Sequence, residues 1–330
     1  MPSAARLRSA LRPLVHRLRA KKDRILHGGC AVLLYHRVAD LITDPQQLAV
    51  SPSNFDAHLD LLKRKYKVLR VAEFDDHLLN GKRFPKNSVL LTFDDGYEDN
   101  HTIARPLLEK HGVEALFYIA NGYIGSGREF WWDELERIFC LNPTLPDTFA
   151  FKKEDFHLSW STLQERSAVY DRLLTELRKL SSTERDVILA ELRVALHSTE
   201  ARATHLPMTQ AQLKKFARSR SVVIGAHSIG HCSLGYRTKS EQQAEIAGSQ
   251  HALSTMLGQE IPYFSYPFGT GADFNAASIE LARSNGYLHT AANYPGLAHK
   301  GSVRHAFPRF LVRDWHTDEF DREVHSFLNP

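Results

Sequence analysis

Two adjacent carboxylates give this chain its first chemical handle. In Thr92-Phe93-Asp94-Asp95-Gly96-Tyr97, Asp94 and Asp95 follow directly on the apolar run Ser88-Val-Leu-Leu-Thr-Phe93. One carboxylate there can bind a divalent metal while its neighbour takes a proton from an attacking water, and Gly96 permits the tight turn that lets both face one cavity. Asp-Asp-Gly is also an ordinary polar turn, so a second motif has to lift it. Gly225-Ala226-His227-Ser228-Ile229-Gly230-His231 again leaves an apolar run, and histidines four apart share one face of a helical turn, so His227 and His231 reach one metal. With 18 histidines in the chain the spacing alone is weak, and its place after a strand carries the inference. Two imidazoles and Asp95 leave coordination positions open for water and substrate, as hydrolysis requires. A third motif, Ser265-Tyr266-Pro267-Phe268-Gly269, offers a backbone N–H at a strand end where an oxyanion needs a donor, although read alone it is a Pro-Gly turn.

The elements that must hold these motifs alternate. Cys30–Tyr35, Ser88–Phe93, Ala115–Ala120, Val222–Ile224, Tyr263–Tyr266, His289–Ala292 and Phe310–Val312 read as short buried strands. Helical patterns fall at Asn54–Lys65, with Ser53 as N-cap, and near Glu98–His111, Glu241–Leu257 and Ala276–Asn285. Such alternation marks a parallel sheet or barrel, whose ligands collect at the carboxyl ends of the strands. Residues 126–205 break the rhythm with the helical patterns Trp132–Cys140, Gln164–Leu180 and Thr183–His197, and read as a helical insertion. The expected organisation is a leader over 1–28 and one α/β domain over 29–330.

Hydrophobic residues make up 43% and charged residues 24% of the chain, which excludes general disorder. Three scattered cysteines form no CxxC pair and suit a reducing compartment. Residues 1–24 carry eight Lys or Arg against Asp23 alone, a local +7 in a chain of net +4. With Leu7, Leu11, Leu14 and Leu18 at helical spacing, this segment can form a basic amphipathic helix, kinked or started at Pro13, that could rest on an anionic membrane surface, the alternative being a solvated terminus. No stretch is long and apolar enough for a signal-peptide core or a membrane span, so residence in the cytoplasm, at the inner face of the membrane, is the expectation. The basic residues lack interleaved aromatics, which argues against nucleic-acid binding.

Taken together and in order, TFDDGY, HSIGH and SYPFG resemble the polysaccharide deacetylase superfamily. LLYHRV, SPSNFDAHLDLLK and MTQAQL resemble a bacterial branch of it associated with surface polysaccharides, and the likeness spans about residues 31–315. The resemblance implies a distorted (β/α)7 barrel and one divalent metal, usually zinc, bound by Asp95, His227 and His231. It also implies Asp94 as catalytic base and the Phe268 amide as oxyanion donor. The expected substrate is an acetylated glycan or lipid-linked sugar, with N-deacetylation before O-deacetylation; a carbohydrate-binding protein on the same fold is the competing reading. Many members begin the third motif with an arginine that pairs with the base, and here that place holds Ser265, leaving Arg309 or Arg313 to supply the charge. The late histidine that many members use as general acid has two candidates, His316 and His325. His36 and Arg37, leaving the first strand, and Tyr266 and Trp132 are candidate substrate contacts, while Trp131 reads as core and Cys232 as a packed neighbour of His231.

Overall fold

The structure, a computed structural model, describes residues 28–142, 145–153, 156–198 and 200–329, so the amphipathic helix expected over 1–24 lies outside it. Cys30–Tyr35 (β1) and Ser88–Phe93 (β2) are buried at every position and pair in parallel from Cys30 with Ser88 to Tyr35 with Phe93. Runs without a polar face suit a sheet covered on both sides. Ala115–Ile119 (β3), Val222–Ala226 (β4), Tyr263–Ser265 (β5), His289–Ala291 (β6) and Phe310–Leu311 (β7) extend it in the spatial order β6-β5-β4-β3-β2-β1-β7, with Lys67–Val68 also paired to β2. Every one of these pairings is parallel.

The sheet curls until one stretch of chain touches both of its edges. Phe307 bridges Ala291 of β6, and three residues later Phe310 pairs with Leu33 of β1. The result is a distorted (β/α)7 barrel. Its outer face packs Leu33, Leu91 and Phe117 against Phe55 and Leu59 of helix α1 (Pro52–Lys65). Its inner face packs Val32, Leu90 and Leu116 against Phe74 and Leu78 of helix α2 (Val71–Leu79). Each large apolar side chain so buried contributes about 1.5–3 kcal/mol.

Local chemistry explains where elements start and bend. The N-cap of α1 is Ser51 rather than Ser53, because Pro52 takes the first helical position, where its missing N–H costs nothing. The helix expected from Glu98 to His111 forms, with a π turn over Asn100–Ala104 before the α-helical stretch Arg105–His111 (α3). Pro106 has no N–H with which to continue a tighter ladder.

Between β3 and β4 lie α4 (Trp131–Phe139), α5 (Leu163–Leu177), α6 (Ser182–Ala195) and α7 (Gln210–Phe216), and after β4 come α8 (Lys239–Leu257), α9 (Ala276–Ser284) and α10 (Thr317–Leu328). The segment over 126–205 is not wholly helical. It also holds an antiparallel hairpin, Phe149–Lys153 with Phe156–Trp160, that the sequence reading missed, because Lys-Lys-Glu-Asp at 152–155 looks like solvated loop. The segment has its own apolar cluster, with Leu135, Ile138, Trp160, Leu173 and Leu189, which meets the barrel through Tyr97, Ala120 and Tyr123. Among the described residues no helix is long and apolar enough to cross a membrane.

Candidate active site

The carboxyl ends of the strands gather the chemistry. Asp94 and Asp95 leave β2, and the chain turns there through two left-handed residues, Asp95 at φ +77° and Gly96 at φ +96°. That turn separates the two carboxylates in direction while keeping both buried. Asp95 Oδ1 lies 3.3 Å from His231 Nε2 and 3.7 Å from His227 Nε2. His227 Nδ1 is 2.8 Å from the Ser265 carbonyl, which can only accept, so Nδ1 carries the proton and Nε2 presents its lone pair to the carboxylate.

The two histidines do not ride on a helical turn. His227 to His231 is a loop with Ser228 at φ +63° and His231 at φ +47°, and neighbours fix its path. Ser228 Oγ accepts from the His231 amide at 3.0 Å, and Glu245 of α8 accepts from the Ile229 and Gly230 amides at 2.7 and 2.9 Å. Arg185 of α6, fully buried, donates to the Gly230 carbonyl at 2.7 Å.

These donors suit a divalent cation. Asp95 Oδ1 is buried without a hydrogen-bond partner among the described residues, and the three ligand atoms lie within 4.8 Å of one another. Burial lowers His227 to about 4, against the pull of Asp94, and lowers His231 to about 3, so both rings are neutral ligands at ordinary pH. Burial raises the Asp95 carboxyl, with His36 and His227 opposing, as expected of a carboxylate set among uncharged donors. A second acid-histidine group, Asp133, Glu136 and His205, is equally compact. Its carboxylates already accept from Tyr97 at 2.7 Å and from Arg202 at 3.1 Å, so their oxygens are committed to partners within the protein.

Arg309 is the arginine that faces Asp94. Its Nη1 and Nη2 meet Oδ1 and Oδ2 at 2.7 Å each, Nη2 also donates to Ser265 Oγ at 2.8 Å, and Nε donates to the Ala292 carbonyl at 2.9 Å. Burial alone pushes the Asp94 carboxyl up, but Arg309 and His227 hold it well below the usual carboxylate range. Arg313 turns elsewhere and donates to the carbonyls of Gln46 and Gln47.

A cleft of about 190 Å³ opens over this cluster, walled by His36, Trp132, Arg178 and Phe268 beside Asp94, Asp95, His227 and His231. Phe268 sits in the left-handed region at φ +59°, and its amide donates to no acceptor among the described residues. Trp132 packs its ring 4.5 Å from that of His231 and donates to the Tyr97 hydroxyl at 2.8 Å. His36 is half-buried in this wall, and desolvation there lowers its pKa while Asp95 and Asp94 oppose the shift.

Other candidates fall outside this wall. Arg37 is buried against Asp99 at 2.9 Å and over the Tyr97 ring, facing away from the cleft. The Tyr266 hydroxyl donates to the His305 carbonyl at 3.0 Å while its ring stacks on Phe274, so it belongs to the core. His316 caps α10 and His325 lies within that helix, both exposed and neither lining the cleft. The Cys232 thiol is buried and pushed up to about 12, which leaves it no thiolate to offer a metal. Three contributors, Arg178, Arg185 and Glu245, escaped the sequence reading because they come from helices remote from the motifs.

Comparison with known proteins gives the same outline. A family model described as polysaccharide deacetylase matches residues 81–140 and 191–289, breaking off where the hairpin and α5 lie. YxkH of Bacillus subtilis (strain 168), which carries the name of a polysaccharide deacetylase, is 23% identical over 282 residues, 85% of this chain and 70% of that protein. A poly-β-1,6-N-acetyl-D-glucosamine N-deacetylase of Staphylococcus aureus (strain MSSA476) is 31% identical over 119 residues, which cover 32% of this chain and 41% of that protein. Among solved structures, the Streptococcus pyogenes deacetylase PplD in complex with acetate aligns at TM-score 0.58 and 17% identity over 90% of this chain and 97% of that one. IcaB from Ammonifex degensii aligns at TM-score 0.58 and 18% identity over 92% and 97%.

Proposed function

The chain belongs to the polysaccharide deacetylase superfamily, and from that premise we propose that it is a metal-dependent hydrolase removing acetyl groups from an N-acetylated sugar or polysaccharide in surface-glycan synthesis or modification. The observation that carries this reading is the Asp95, His227 and His231 donor set beside an Asp94 that Arg309 keeps ionised. A divalent cation, zinc in the first instance, would be held by Asp95, His227 and His231 and would supply Lewis-acid polarisation of the acetyl carbonyl and the attacking water.

The chain's own groups divide the remaining work. Asp94, ionised and fixed in direction by the two-point contact with Arg309, takes a proton from the attacking water. The Phe268 N–H donates to the oxyanion that develops on the acetyl group. The proton that Asp94 takes passes on to the leaving nitrogen, and His36, an imidazole in the cleft wall where His316 and His325 are not, relays it by accepting at one ring nitrogen and donating from the other. Trp132 presents an aromatic surface to the sugar ring. The basic segment 1–24 is proposed to rest on anionic lipid and bring the enzyme to a lipid-linked glycan, on the strength of its charge and leucine spacing.

The test is acetate release from N-acetylated β-1,6-linked glucosamine oligosaccharides and from O-acetylated oligosaccharides, with zinc-loaded protein. Asp94→Asn and His227→Ala are expected to lose about 10²–10³-fold or more in kcat, and chelation to abolish release until zinc is restored. Glycan binding by the zinc-loaded protein with no acetate released from any of these substrates would replace the hydrolase with a binding protein, and release from esters alone would move the chemistry from nitrogen to oxygen.

A further inference from the structure

Arg178, at the C-terminal end of α5, leaves the segment between β3 and β4 to which it belongs and grips the loop that follows β5. Its Nε donates to Asp273 Oδ1 at 2.9 Å, its Nη2 reaches Asp273 Oδ2, and its guanidinium carbon lies 4.1 Å from the centre of the Phe268 ring. Asp273 is fully buried and is the hub of the loop, accepting also from Ser233 Oγ at 2.8 Å, from the Thr270 amide at 2.9 Å and from the Thr270 hydroxyl. The Phe268 ring also meets His231, with ring centres 4.7 Å apart and the planes at 74°. A phenylalanine at φ +59° is in a costly conformation that persists only where its surroundings over-determine it. The ring's contacts with His231 and Arg178 and the Asp273 carboxylate that holds the loop supply those constraints, and Arg178 contributes to two of them.

We propose that Arg178 is a positioning residue for the hydrolysis, holding residues 268–273 so that the Phe268 N–H points at the acetyl oxygen; this rests on the deacetylase reading. The guanidinium edge is committed to Asp273 and its face to Phe268, so its action runs through the loop rather than through the sugar. Removing it leaves a buried carboxylate without its cation, a change that loosens what the carboxylate holds.

The experiment compares Arg178→Gln and Arg178→Lys with the wild type, zinc-loaded, on p-nitrophenyl acetate, which has no sugar, and on N-acetylated β-1,6-linked glucosamine oligosaccharides. Hydrogen exchange of peptides covering residues 266–275 and zinc content are measured alongside. Since misplacing a reacting group by an ångström costs about 10²-fold, Arg178→Gln is expected to lower kcat roughly 10–100-fold on both substrates, with KM changed by less than about 3-fold. Zinc content stays at the wild-type level, the 266–275 peptides exchange faster, and Arg178→Lys recovers part of the rate by restoring the ion pair without the planar stack. A rise in KM on the oligosaccharide alone, with p-nitrophenyl acetate hydrolysed at the wild-type rate, would make Arg178 a sugar contact and overturn the proposal, as would unchanged exchange in the loop. Should the wild type hydrolyse neither substrate, the deacetylase reading falls by itself, and the exchange comparison still decides whether Arg178 holds the loop.

Discussion

At the scale of single residues, the charge on Asp94 is the feature most exposed to test. A carboxylate this buried would be neutral if left alone, and it stays ionised because Arg309 meets both oxygens at 2.7 Å. Arg309→Gln removes the cation and leaves the upward push of burial, so the Asp94 pKa rises. A reaction that needs the carboxylate then loses rate at a higher pH as the solution is acidified, and the acid limb of kcat/KM moves upward, whereas Arg309→Lys keeps part of the charge and moves it less. A pH–rate profile reads this directly, and an acid limb that stays in place in Arg309→Gln would mean that Arg309 does not set the ionisation of the base. The sequence left Arg309 and Arg313 equal because both lie within four residues of the last strand. What separates them is where each side chain finds its acceptors, Arg309 at Asp94 and Arg313 at the Gln46 carbonyl, which only the folded chain reveals.

At the scale of elements, the histidine loop depends on residues that bind nothing themselves. Arg185 donates to the Gly230 carbonyl, and Glu245 accepts from two amides of the same loop, so α6 and α8 jointly fix where His231 points. Replacing such supporting contacts typically costs 10–100-fold in metal affinity, so Arg185→Met should weaken zinc binding by about that factor with all three ligands intact. Competition against a zinc chelator measures it, and wild-type affinity in Arg185→Met would show that the loop holds its shape unaided. The strands that carry the motifs were legible because a run such as CAVLLY, apolar throughout, has few alternatives to a buried parallel strand. The motifs were legible because each packs its polar residues into a few positions at a strand end. The hairpin at 149–160 and the helix Val71–Leu79 were not, since each is short and interrupted by charge, and becomes stable only against a surface that the local sequence does not reveal. The turn assumed for His227 and His231 was wrong in kind: two left-handed residues give the same convergence that helical spacing suggested.

At the scale of the whole molecule, the barrel and the segment over 126–205 meet through buried polar contacts as well as apolar ones. Tyr97 of the barrel donates to Asp133 of α4 at 2.7 Å, Trp132 donates to Tyr97, and Arg37 donates to the Thr204 carbonyl. Burial pushes the Asp133 carboxyl up to about 8, against Arg37, the Tyr97 hydrogen bond and Arg202, which all favour its charge. The folded state therefore binds a proton that the unfolded state, with an ordinary aspartate value of 3.8, releases. Stability from this group is fully present below that unfolded value and is lost as pH rises from there through about 8, levelling off above it. Asn at 133 still accepts from Tyr97 and has no proton to lose. The melting temperature of Asp133→Asn minus that of the wild type should then grow between pH 5 and pH 8.5, by several degrees on the usual scale of about 2–4 °C per kcal/mol for chains of this size or somewhat smaller. Thermal melts across that range decide the matter. A difference that stays constant would mean that Asp133 is ionised in the folded protein, with Arg37 and Arg202 carrying its charge, and that the junction between barrel and insertion is an ion-pair network with no proton at its centre.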